Sequence, residues 1–404
     1  GHTNVDKNGT LIFNTNGIDS EISNITQSTE IGGTFIKDGK GILKLTGDNE
    51  YLTVFNGKTQ IKKGILNYIA DNDTDSYFKG STTISNGAAL QATINENVNN
   101  QTITNIISEN AGGGTFIKDG AGSLNLTGNN STFSGSAQIK EGVLNYIANL
   151  DTDKYFSGST TISNGAALQA TINDKTVSEI SNIISENAGD GTFIKDGAGS
   201  LKLTGNNSTF SGETQIKEGV LNYIANNDTD SYFKGSTIIS ADGTLQATIN
   251  ESAGENQTIA NIKSENDGTF IKDGAGSLKL TGDNSEFSGS AQIKKGILNY
   301  IADNDTDSYF KGSTTISADG TLKTTVNQGI TSEISNITSE NDNNGTFIKD
   351  GAGSLNLTGK NDAFKGNAFI NQGTLAFSHL DGSTSFAGAT TISNGAILAY
   401  LKGN

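Results

Sequence analysis

The string Gly-Thr-Phe-Ile-Lys-Asp-Gly occurs five times, with its Phe at 35, 116, 193, 270 and 347, giving spacings of 81, 77, 77 and 77 residues. That period constrains the fold more tightly than the length of 404 residues, because a chain built of copies must bury each copy against the next. Blocks start near 33, 114, 191, 268 and 345. A finer repeat, Phe-x-Gly-x-x-x-Ile-x-x-(x)-Gly-x-Leu, starts at Phe55, Phe78, Phe133, Phe156, Phe210, Phe233, Phe287, Phe310, Phe364 and Phe386. Steps of 22 or 23 residues alternate with steps of 54 or 55, so each block divides into units of roughly 22, 23 and 32 residues.

Each unit reads as three short strands separated by Gly or Asn/Asp turns. In the second block these are TFIK, SLNLTG and STFSG, then AQIK, VLNYIA and KYFSG; the closing strand of a block has the form TITNIIS. Leu124 and Leu126 flank Asn125, and Leu144 and Tyr146 flank Asn145, the period of two expected of strands with one buried face. Inward columns are expected at Phe116, Leu124, Leu126, Ile139, Leu144, Tyr146 and Ile162. Lys118, Asp119, Lys140 and Asn145 are read as outward, where their recurrence would form a periodic face. Three strands per unit match one coil of a parallel β-helix, whereas a propeller blade needs about 40–50 residues and four antiparallel strands. The fold class is therefore all-β, a solenoid of about sixteen three-strand coils, with residues 1–404 as one β-helix belonging to something longer.

Composition removes several functions. Cys is absent, which excludes disulfides and thiolate metal sites. All 27 basic residues are Lys, and a formal charge of −16 argues against nucleic acid or an anionic membrane as partner. No apolar run is long enough to span a bilayer, so no membrane insertion is expected of this segment.

The segment 102–148 resembles the passenger-associated repeat of autotransporters. Lys118, Gly120, Gly122, Leu124, Leu126, Gly128, Asn130, Phe133, Gly135, Ile139, Gly142 and Leu144 occupy the marked positions of that pattern, and the same string recurs in five blocks. Phe116-Ile117 stands where the family usually has Leu-Thr. The resemblance implies a right-handed helix, secretion across a Gram-negative outer membrane, and display or release at the cell surface. It implies no particular activity.

Sites of chemistry are few. The histidines are His2 and His379. His379 lies close to Asp381, but no nucleophile signature accompanies the pair, and no catalytic residue is assigned. KDGAGS resembles a Gly-rich phosphate loop, yet strand follows it and not the helix whose N–H groups would meet an anion. Asp71, Asp73 and Asp75, and again Asp303, Asp305 and Asp307, carry alternating carboxylates like the start of a calcium loop. Asp151/Asp153 and Asp228/Asp230 carry two, preceded by Asn149 and Asn226. Against calcium stands the reading preferred here, a solvated turn whose Asp and Asn bond their own backbone. Apart from that calcium possibility, no cofactor is expected.

Two functional classes fit. One is a surface adhesin or structural stalk, contacting a host cell-surface protein or glycan, or another copy of itself. The other is a released virulence effector that binds one host receptor. A polysaccharide-acting enzyme ranks third, since β-helices host such enzymes but their sites break the regularity of the coil.

Overall fold

The computed structural model describes residues 3–23, 25–26, 32–46, 55–341, 345–379 and 385–402. His2 and Asp381 lie outside them. The regular elements are strands, apart from one 3-10 turn at Glu251–Ala253, and the strands stack in parallel as a β-helix of about sixteen coils. Among the described residues, no helix is long and apolar enough to cross a membrane. The chain forms two compact units, Gly1–Leu201 with Thr209–Gly212 and Lys202–Ser208 with Glu213–Asn404.

In the first unit, the coil of Thr82–Ile84, Ala88–Ile94 and Gln101–Thr104 carries a coil of Ile106–Ser108, Thr115–Asp119 and Ser123–Thr127. Each strand lies on its counterpart, with Thr82 beside Ile106, Leu90 beside Phe116 and Ile103 beside Leu126. Ser136–Ile139 and Val143–Ala148 follow on the same two columns, with Ala137 beside Phe116 and Leu144 beside Leu124. The expected core columns are all there: Phe116, Leu124, Leu126, Ile139, Leu144, Tyr146 and Ile162 are fully buried.

Two details of the coil differ from the sequence reading. The Phe-Gly segments STFSG and KYFSG are corners outside the strands, where the N–H of Ser157 donates to the carbonyl of Phe133 at 3.0 Å beside an isolated bridge between Asn129 and Lys154. Their Phe and Tyr rings turn inward and form a chain, Tyr146–Tyr155 at 5.3 Å, Tyr155–Phe156 at 4.8 Å and Phe156–Phe133 at 4.9 Å between centroids. Close stacking makes glycine obligatory here, since a Cβ on Gly158 would run into the carbonyl of Gly135.

The second difference is topological. TITNIIS is two strands on two sides, because Asn105 takes φ 53° and breaks Gln101–Thr104 from Ile106–Ser108. Asn tolerates this left-handed conformation better than other non-glycine residues. The 32-residue unit thus has four sides, and a block ten, where three coils would have nine. The first strand of each block consequently lies on the second strand of the coil beneath it. Thr115–Asp119 lies on Ala89–Thr93 and Thr192–Asp196 on Ala167–Thr171. In the second unit, likewise, Thr269–Asp273 lies on Thr244–Thr248 and Thr346–Asp350 on Thr321–Thr325. Within each unit, every block is turned by one side of the coil relative to its predecessor.

Candidate binding surface

The recurrent lysine is not part of the surface. Lys118, expected to face outward, is fully buried, as are Lys37, Lys195, Lys272 and Lys349. Its strand alternates as a strand must, so Phe116 and Lys118 point the same way. Ala92, on the coil beneath, leaves room for the chain. The ammonium donates to the carbonyls of Asp119 at 2.9 Å, Gly120 at 2.6 Å and Glu141 at 2.9 Å. Lys272 and Lys349 repeat the pattern with the carbonyls of Asp273, Gly274 and Lys295, and of Asp350, Gly351 and Gln372. Three donors meet three acceptors, which is what allows the group inside. Burial pushes the Lys118 ammonium down to about 8, opposed by the charges of Asp119 and Glu141. KDGAGS is accordingly a corner closed by a lysine, with Gly120 at φ 73°.

Asn130 does the same for the next corner. Its Nδ2 reaches the carbonyls of Thr127, Gly128 and Lys154, while Oδ1 accepts from the N–H of Ile106 at 2.9 Å. Both residues are marked positions of the repeat and both are internal. The exposed copies of the repeat are the acidic turns.

Those turns are tied by hydrogen bonds. Asp75 accepts the N–H groups of Asp71 at 2.7 Å and Asn72 at 3.1 Å, both through Oδ2. Asp307 does so for Asp303 and Asn304, Asp153 for Asn149 and Leu150, and Asp230 for Asn226 and Asn227. Asp71 and Asp73 turn to the next coil, accepting from the Asn95 side chain and the Asn99 N–H. The position of Asp71 accepts the same bond when it is Asn149 or Asn226, from Asn173 or Asn250. An oxygen is needed there, not a charge. Asp303 accepts from Asn327, and Asp305 is exposed. In the first turn the three carboxylates therefore serve separate backbone and side-chain donors, and among the described residues no three His, Cys, Asp or Glu side chains are grouped to hold a metal ion. His379 lies in the strand Thr374–His379.

A cleft lies beside the turn in three blocks. The first, about 330 Å³, runs between Asp73–Lys79 and the strand that includes Gln101 and Thr102. The second, about 460 Å³, lies between Asp228–Lys234 and residues 256–260. The third, about 350 Å³, lies between Asp307–Lys311 and Thr331–Ser335. Equivalent residues recur in all three: Asp75, Asp230 or Asp307 inside, and Lys79, Lys234 or Lys311 at the edge. The second block has Ser157 at the lysine position. Sequence reading picked out the acids but missed the lysine, which stands four residues after the last Asp of the turn.

The passenger-associated-transport-repeat family pattern matches residues 35–67, 116–145, 193–222, 270–299, 347–377 and 379–399. The adhesin BmaC autotransporter of Brucella suis biovar 1 (strain 1330) is 33% identical over 184 residues, 40% of this chain and 5% of that protein. The chain thus spans a small fraction of that relative's length. Among solved structures, a TibC-catalysed hyper-glycosylated fragment of TibA is 15% identical, covers 82% of this chain and 97% of the fragment, and superposes with a TM-score of 0.23, a likeness too weak to bear on fold or function.

Proposed function

Because this chain is an autotransporter passenger domain, we propose that it works outside a Gram-negative cell as an adhesin or structural stalk, binding and not catalysing. The observation that carries this reading is recurrence. Corner lysines, corner asparagines and acidic turns return from block to block. Contacts spread over many copies gain strength by multivalency without any one of them being strong. Partners of such a surface are a host protein, a host glycan or a second copy of the chain. The charge of −16 opposes the last, so self-pairing is favoured by salt or mild acid.

The turn of one side per block shapes the binding. Neighbouring blocks within a unit offer the same turn to different directions, so a flat partner does not meet them in register. Contacts are presented around the coil. Block deletion tests the proposal: removing residues 116–192 lets the next Phe-Ile-Lys-Asp strand take the place of the one removed. Adhesion to cultured cells should decline in steps as blocks go. Abrupt loss on removing one block, with the others dispensable, would favour a single receptor site.

A further inference from the structure

We infer that the clefts beside the acidic turns are saccharide subsites, each taking a neutral, hydroxyl-rich oligosaccharide. This deepens the adhesive reading and rests on it for its biological meaning, but not for its test.

The first observation is a fixed acceptor. In each cleft one carboxylate is held by two backbone N–H groups on Oδ2, those of Asp75, Asp230 and Asp307. Oδ1 of each makes no hydrogen bond to the described residues. A carboxylate already locked in place accepts a ligand hydroxyl without first being ordered, which is where affinity for small polar ligands is otherwise lost. The second is a donor four residues further along the same wall, the exposed Lys79, Lys234 or Lys311. Polar side chains line the facing wall, among them Thr102 in the first cleft and Thr258 and Asn256 in the second. Volumes of about 330 to 460 Å³ fall within the range of small-molecule sites.

The same features argue against a peptide. A peptide docks by adding a strand to a free edge or by placing apolar anchors in a groove. The strands beside the second and third clefts, Thr258–Ala260 and Thr331–Ser335, are only three and five residues long, and one edge of each is already taken by the coil that follows. The aromatic rings behind the clefts, Tyr77, Tyr232 and Tyr309, are buried and their hydroxyls are bonded to Thr82, Thr237 and Thr314. An anionic sugar is disfavoured by the carboxylate inside and by the charge of −16.

The second and third clefts, both in the second unit, face different ways. Thr258–Ala260, the strand of the second cleft, belongs to the column of Ser277–Thr281, whereas Thr331–Ser335, of the third, belongs to the column of Ser354–Thr358. Through Ile297–Tyr300, Thr321–Thr325 and Thr346–Asp350, the first of those columns holds the strand before Thr331–Ser335 and not that strand itself. Each cleft should bind its own ligand independently.

Saturation-transfer NMR and titration of the full chain with cellotriose, maltotriose and N-acetylchitotriose, with sialyllactose as the charged control, test the inference. At least one neutral probe should bind, and the Lys79→Ala, Lys234→Ala and Lys311→Ala triple variant should weaken it about tenfold, the equivalent of one charge-assisted hydrogen bond. These lysines are exposed, so circular dichroism should be unchanged. Absence of neutral binding to the unaltered chain, an unaffected triple variant, or stronger binding of sialyllactose would each overturn the inference. Adhesion to enzymatically deglycosylated cells separates the two readings: adhesion that persists there overturns the saccharide inference while keeping the adhesin. Binding of probes without adhesion to any cell keeps the clefts and removes the adhesin.

Discussion

The ammonium of Lys118 hydrogen-bonds the carbonyl of Glu141, 23 residues later and one coil further on, at 2.9 Å. The pair joins two coils at a corner where the chain turns through glycine, and it is repeated by Lys272 with Lys295 and by Lys349 with Gln372. A buried charge here ties together carbonyls of two successive coils at their corner.

Replacing Lys118 by Met keeps the volume and removes the donors. Three carbonyls lose this donor, and at about 1–3 kcal/mol for each buried group left unsatisfied the corner should lose roughly 2–3 kcal/mol or more. Lys140→Met, on the exposed residue of the same block, should stay within about 0.5 kcal/mol. Hydrogen exchange should show the loss in the two coils joined by Lys118; equal effects of the two substitutions would contradict the buried role.

Alkaline pH should act in two opposite steps. Lys118, Lys272 and Lys349 sit at about 8 when folded against 10.5 ordinarily. Between those values the unfolded chain holds protons that the folded chain has released, so stability should rise with pH in that window. Burial pushes the tyrosines the other way, Tyr300 to about 12 from 10. Above pH 10 the unfolded tyrosines ionise while the folded ones do not, and stability should fall. Urea midpoints across pH 7–11, in enough salt to screen general repulsion, check both signs.

The acidic turns should respond to oxygen and not to charge. Asp71→Asn reproduces what Asn149 and Asn226 already do and should be neutral. Asp75→Ala removes the acceptor of two N–H groups and should cost about 1–2 kcal/mol, as loss of a helix cap does. Thermal unfolding of both variants is the measurement. Should Asp71→Asn destabilise as much as Asp75→Ala, charge would matter after all.

Leu144→Asp places a carboxylate in the column of Leu124 and Leu168. With no partner there it should destabilise by several kcal/mol. Stacked repeats couple mainly to their neighbours, so protection in the strands Thr10–Asn14, Thr34–Asp38 and Ile42–Thr46 should survive. Uniform loss of protection throughout the first unit would show that its coils do not open independently.

What the sequence determined by itself is whatever depends on near neighbours. Alternation in SLNLT and VLNYIA places Leu124 and Leu144 inside, because in a strand the next side chain must point the other way. Glycines mark the corners, and the bonds of Asp75 to Asp71 and Asn72 span four residues or fewer. What only the tertiary structure decided depends on the next coil. Alternation from Phe116 already directed Lys118 inward, but whether an ammonium can stay there rests on acceptors that include Glu141, which only stacking brings near. The clefts, too, are made by a turn and a strand more than twenty residues apart. The direction each block faces is the clearest case. One left-handed Asn105 adds a side to the block, and the resulting offset is a property of how coils close and pair, which no window of sequence contains.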